Sequence, residues 1–278
     1  MLNVGTSSLI PSAEGGTAFL QYDSLDQTRN WHKRKKSDAD NHDKRITTQT
    51  TTVGMQYMFN RDFGAAIRIP HVTRSTVIAD ENEILNSTRT NSVGDISLNG
   101  IYSGFFADMS TGIIFGLKLP TGQTNARGLQ HNMQIGTGST DSILGAYHRG
   151  NFGKKTNLGF FLQTAWKRPF ISHPGYTPGS EISGATGIYY NSGRFGAVKK
   201  LAPILQVIGV KKGQDSGMTS ISSNQSSGYT QMFFAPGIEF TINDFKFYAD
   251  VEFPIYRAVN GNQLMPQNLY KMILGYNF

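Results

Sequence analysis

Residues able to do chemistry are spread thinly along this chain. His32, His42, His71, His131, His148 and His173 are scattered, and no two stand at a metal-ligand spacing. There is no cysteine to complete a site, so neither metal nor any other cofactor is expected. His71 and Thr73 stand two residues apart in the stretch HVT. No third group stands near them, and both fall at the end of a predicted strand, where either residue is ordinary. The glycines of GTGSTD (136–141) could cradle a phosphate, but the lysine and the following helix that this chemistry needs are missing. An enzyme is not expected.

A different chemistry is carried by charged and aromatic residues at every second position. In FKFYADVEFPIY, Phe245, Phe247, Ala249, Val251, Phe253 and Ile255 alternate with Lys246, Tyr248, Asp250, Glu252, Pro254 and Tyr256. A period of two is that of a strand with different surroundings on its two faces. The same alternation sets Arg68, Asp95, Lys118, Glu181, Glu239 and Lys271 against apolar neighbours, and Phe161, Tyr189 and Phe233 share the polar face. Together with Lys246, Tyr248, Asp250 and Glu252, these residues are the candidate lining of an enclosed lumen. Acids and bases nearly balance there. Selectivity would then come from local groupings, unless the pairs only stiffen the wall. The aromatic members would suit apolar or aromatic solutes, or they are structural filler.

These residues need elements to hold them. About twelve alternating segments can be counted, at 17–28, 46–59, 63–74, 93–103, 110–120, 137–148, 157–168, 181–191, 200–211, 229–242, 245–256 and 267–278. Each is near the ~9–11 residues that cross a bilayer as a tilted strand. Two of them, around DSILGAYH and LAPILQVIGV, are apolar on both faces. Connections alternate between short turns and long polar loops, the latter at 29–45, 75–92, 121–136, 169–180, 212–228 and 257–266. This is the pattern of a transmembrane antiparallel up-and-down β-barrel, all-β, with both termini in the periplasm. A water-soluble sandwich is the rival, but its strands would be shorter, typically about 5–6 residues.

Composition agrees. Glycine is abundant at 31, Tyr and Phe number 12 and 18, and charged residues are 16%. No apolar run reaches the ~18 residues of a membrane helix, but alternating strands average out on a hydropathy scan. No leader is visible in MLNVGTSSLIPSAEGG, so the chain is expected to be a mature form whose signal peptide has been removed. Residues 1–16 are too polar for a lipid-facing strand and are expected as a lumen plug or a periplasmic tail, with 17–278 as one barrel. The net charge is +7, and residues 29–45 hold seven Lys and Arg against three Asp. That points to a solvated loop or to contact with lipopolysaccharide phosphates, not to nucleic acid.

Three stretches resemble one family: GLKLPTG (116–122), GTGSTDSILGAY (136–147) and NGNQLMPQNLYKMILGYNF (260–278), with VGDISLNGIY and LAPILQVIG also fitting. The sequence from about residue 45 onward is similar to proteobacterial outer-membrane channels named for the phenol meta-degradation pathway. The resemblance implies a twelve-stranded channel for hydrophobic or aromatic compounds, and it brings no catalytic or binding residues with it. The alternate apolar residues Tyr270, Met272, Leu274, Tyr276 and Phe278 resemble the signal read by the barrel-assembly machinery. The expectation is a monomeric outer-membrane channel for passive uptake of small molecules, in contact with membrane lipid and lipopolysaccharide. A docking barrel for a partner such as an electron-transfer protein is the alternative.

Overall fold

The computed structural model describes residues 9–37, 44–79, 85–126, 134–153, 156–172, 175–194, 196–217 and 226–278. Fourteen strand segments follow in chain order: β1 (Gly15–His32), β2 (Lys35–Lys36), β3 (Arg45–Met58), β4 (Phe63–Ala79), β5 (Leu85–Val93), β6 (Ser97–Tyr102), β7 (Thr111–Lys118), β8 (Ser139–Asn151), β9 (Leu158–Ser172), β10 (Glu181–Tyr190), β11 (Val198–Lys212), β12 (Tyr229–Ile242), β13 (Phe245–Val259) and β14 (Asn262–Asn277). β5 and β6 are two halves of one stave, both paired with β4, and β2 only extends the first hairpin. Twelve antiparallel staves remain, each paired with its sequence neighbour.

β14 pairs with β1 from Thr17↔Asn277 to His32↔Asn262 and closes the barrel. At the rim, Gly16 N donates to Phe278 O (2.7 Å) and Phe278 N donates to Gly16 O (2.9 Å). Closure removes the sheet edge, whose unpaired peptide groups would each cost several kcal/mol in lipid. No helix among the described residues is long and apolar enough to cross a membrane, and a barrel crosses with strands.

Alternation decides the two faces. Val53, Met55, Phe115, Leu144, Leu162, Ile188, Leu205, Phe253 and Met272 are exposed on the outer face. Their neighbours Thr52, Lys118, Ile143, Phe161, Gln206 and Lys271 are buried inside. A water-soluble barrel would carry the opposite pattern. Aromatic rings collect at the short-turn rim, where Phe63 and Tyr102 lie 5.2 Å apart and Phe245 and Tyr276 lie 5.1 Å apart. A girdle of this kind edges the apolar band of outer-membrane barrels. Both ends of the barrel wall, Gly15 and Asn277, lie at this rim.

Three of the long loops are shorter than the sequence pattern suggests. Residues 75–79 and 85–93 form a ribbon instead of a loop. β5 has polar residues on both faces (Asn86, Ser87, Thr88, Arg89, Thr90, Asn91), so alternation of apolar residues cannot reveal it. Its threonines suit a strand whether or not lipid is present. Most of 257–266 is strand as well, with a tight turn at Asn260-Gly261, where Gly261 has φ +60°. Residues 29–32 and 35–36 carry the first hairpin into the 29–45 loop.

Candidate functional site

The interior has a filled half and a hollow half. Toward the short turns, Phe19, Met58, Ile101, Tyr147, Phe161, Ile204, Phe233, Tyr248 and Ile273 form one apolar cluster. Ile10 is buried in it, and Leu9 packs against it. Glycines make room for the rings: a Cβ on Gly187 would meet Phe161 at 2.6 Å, and Gly54 leaves the space that the Phe19 ring fills. Leu9, Ile10 and Pro11 line a small cavity of about 70 Å³ together with Phe19, Ala66, Arg68, Ile101 and Tyr147. Toward the long loops lies a cavity of about 450 Å³. Its wall mixes Thr48, Thr50, Thr52, Gln231, Arg68 and Arg74 with Val72, Ile135, Ile143, Ile208, Phe233, Leu264 and Met265.

All thirteen candidate lining residues sit on the inner face, and the tertiary structure sorts them into groups. In the first, the Lys118 ammonium lies 3.1 Å from Asp95 and 2.9 Å from Asp141, and all three side chains are buried. Asp95 also accepts from Gly122 N (3.0 Å), Thr137 N (3.0 Å) and Thr137 Oγ1 (2.7 Å). Thr121 Oγ1 donates to Gly94 O at 2.9 Å. The two arms of the connection between β7 and β8 are thus fixed to the break between β5 and β6. GLKLPTG, GTGSTD and VGDISLNGIY, distant in sequence, meet at this one cluster.

The second group gathers on β13, β14, β1, β4 and β11. Lys271 donates to Glu252 at 2.7 Å, and both are buried. Tyr248 Oη and Gln206 Nε2 both donate to Asp250 Oδ2, at 2.5 and 2.8 Å. Gly237, opposite Asp250 on β12, leaves room for this pair: a Cβ there would meet Asp250 Cβ at 3.0 Å and Tyr248 Oη at 3.4 Å. Gln21 Nε2 donates to Asp23 Oδ2 at 2.6 Å, while Gln21 Oε1 accepts from Arg68 Nη2 at 2.8 Å. The Arg68 guanidinium lies 4.8 Å over the Phe19 ring.

Smaller groupings complete the set. Glu239 pairs with Lys200 at 2.9 Å, and Lys200 also lies 5.6 Å over the Tyr189 ring. Lys246 is half-buried nearby on β13. Glu181 lies 3.4 Å from Lys167. Phe161 and Phe233 belong to the apolar cluster. Beyond the wall, Asp215 holds a loop clamp, accepting from Tyr176 Oη at 2.9 Å and from Gly179 N at 2.8 Å. Burial first, and then the Asp215 charge, push the Tyr176 phenol well above its ordinary value.

Asp141, Gln21, Lys200 and Arg74 are partners that the candidate list omits. Asp141 lies at the end of GTGSTD on β8, which is apolar on both faces and gives no sign of which way the carboxylate points. His71 and Thr73 both lie on the outward face of β4, away from the lumen. His148 bonds Thr111 (2.7 Å) and His32 bonds Asn262 (3.1 Å). His42, His131 and His173 lie outside the described residues, as do residues 1–8. Among the described residues there is no group of three metal-ligating side chains. Tyr270, Met272, Leu274, Tyr276 and Phe278 are exposed on the outer face. Lys33, Arg34, Lys35 and Lys36 are exposed at the long-loop end.

Comparison with known proteins places this barrel among outer-membrane proteins by fold. The solved structure of the COG4313 outer membrane channel from Pseudomonas putida F1 superposes with a TM-score of 0.72. That match covers 99% of this chain and 100% of the other at 12% identity. The β domain of the Bordetella autotransporter BrkA follows at 0.54 and 9% identity, covering 95% and 100%. The transport unit of the autotransporter AIDA-I from Escherichia coli gives 0.50 at 11% identity, covering 100% and 94%. The chain has the fold of a bacterial outer-membrane β-barrel. No family model matches the sequence, and no curated protein matches it.

Proposed function

We propose that this protein is a passive channel for small molecules in the bacterial outer membrane, with hydrophobic or aromatic compounds as its cargo. The observation that carries this reading is the cavity of about 450 Å³ enclosed by the long-loop half of the barrel. It lies within the ~300–1,000 Å³ typical of ligand pockets, and its wall combines apolar side chains with charged and polar ones that could orient a solute. A general porin for ions or sugars would gain little from Ile208, Phe233, Leu264 and Met265. The barrel would sit with its short turns and termini in the periplasm. Its exposed basic hairpin would then meet the phosphates of lipopolysaccharide.

Residues 9–11 act in this reading as a lumen plug. Ile10 is buried among inward residues of the wall, so passage requires the segment to withdraw. The same filled half argues against a sleeve for a partner protein, which would need a bore open along its length. Liposome swelling and planar-bilayer recording test the proposal. Solute-dependent swelling and discrete conductance steps are expected, with larger steps once residues 1–11 are removed. A barrel silent in both assays, with and without that segment, would contradict it.

A further inference from the structure

Arg68 holds a position shared by no other described residue: it lines both the 450 Å³ cavity and the 70 Å³ cavity below it. It therefore stands where the hollow half and the plugged half adjoin. The guanidinium is held by two contacts, the Phe19 ring beneath it and Gln21 Oε1 at 2.8 Å. Of the other cations of the large cavity, Arg74 is bonded to Thr48 Oγ1 at 3.3 Å and Gln134 O at 3.2 Å, and Lys118, Lys167 and Lys271 each have a carboxylate within 4 Å. Arg68 has none within that distance among the described residues. Asp23 is kept off by Gln21, which spends its amide nitrogen on Asp23 and its carbonyl on Arg68.

A guanidinium carries five N–H donors, and a carboxylate can take two of them at once. The floor of the cavity thus presents guanidinium donors with the Asp23 carboxylate nearby, while Val72, Ile208, Phe233 and Leu269 supply apolar wall above it. We infer that the large cavity binds a small organic acid, a carboxylate on an aromatic or aliphatic body, with the carboxylate on Arg68 and the body against the apolar wall. Arg68 would then set which cargo moves on toward the small cavity. This inference rests on the channel reading and narrows it to a substrate class.

The test is equilibrium binding to the full-length protein in detergent, which requires no conduction. Isothermal titration would compare benzoate with methyl benzoate and with acetate. Saturable binding of benzoate is expected, at least about tenfold tighter than either comparator. Arg68→Gln should remove that preference, and Arg68→Lys should restore part of it. Equal binding of benzoate and its methyl ester to the unaltered protein would overturn the proposal without any variant having to fold. Acetate binding as tightly as benzoate would mean simple anion attraction and would overturn it too. Benzoate binding by a barrel that conducts nothing would sink the channel reading and leave this site standing.

Discussion

Lys118 and Asp95 stand 23 residues apart in the chain and face each other at 3.1 Å, where the stave made of β5 and β6 is broken. Because Asp141 lies on the other side of the ammonium at 2.9 Å, Lys118 neutralises two carboxylates at once. Removing the lysine leaves two buried negative charges side by side, whereas removing Asp95 leaves the lysine one partner.

Lys118→Met should therefore destabilise the barrel more than Asp95→Asn. Breaking a buried ion pair from one side costs about 3–5 kcal/mol, and Lys118→Met should fall in that range. Thermal unfolding in detergent micelles, followed by circular dichroism, checks the order. Equal shifts for the two variants would mean that Asp141 is neutralised by another group.

The outer face gives a second prediction. Met272 lies within the apolar band and is 57% exposed. Met272→Arg should weaken folding into lipid vesicles by about 2–4 kcal/mol, the cost of a cation near the bilayer midplane. Denaturant titration in vesicles measures it. The same change in free energy should be absent when Arg replaces Arg34's exposed neighbour Lys35 in the hairpin beyond the band.

Packing in the filled half gives a third. A side chain on Gly187 would collide with Phe161, which is fully buried, and with Gln206 Cβ at 2.9 Å. Gly187→Val should cost about 1–3 kcal/mol as overpacking. Phe161→Leu in the same protein should recover part of the loss. Unfolding midpoints of the single and double variants show whether the two sites are coupled.

The plug supplies a fourth. Ile10→Glu places a charge in an apolar cluster, where it lacks a partner. The segment should then leave the lumen, and single-channel conductance should rise in planar bilayers while the unfolding midpoint moves little. Unchanged conductance would mean that Ile10 does not close the path.

Much of this architecture is legible in the sequence because period-two alternation is a local signal. In 245–256 the apolar residues and the set Lys246, Tyr248, Asp250 and Glu252 separate cleanly, and the structure puts them on opposite faces. Where lipid no longer imposes alternation, the signal fails, and β5 and the upper part of β4 read as a loop. Partners across the barrel are illegible for a different reason. The hydrogen bond from Gln206 on β11 to Asp250 on β13 reaches across β12, and the Asp95 cluster depends on a strand interruption that shifts the register of one stave. Such relations are set by strand register, which no single strand encodes.

The central claim is that the apolar set faces lipid and the polar set is enclosed. The chain has no cysteine, so single cysteines can be introduced into an otherwise silent background. Spin labels at Met272 and Leu205 on the outer face, and at Thr50 and Gln231 on the inner face, would be read for collision with oxygen and with a water-soluble nickel chelate in reconstituted vesicles. The account expects oxygen to dominate at Met272 and Leu205, and the chelate to gain relative access at Thr50 and Gln231. The reverse assignment, or uniform access of the chelate to all four sites, would contradict it.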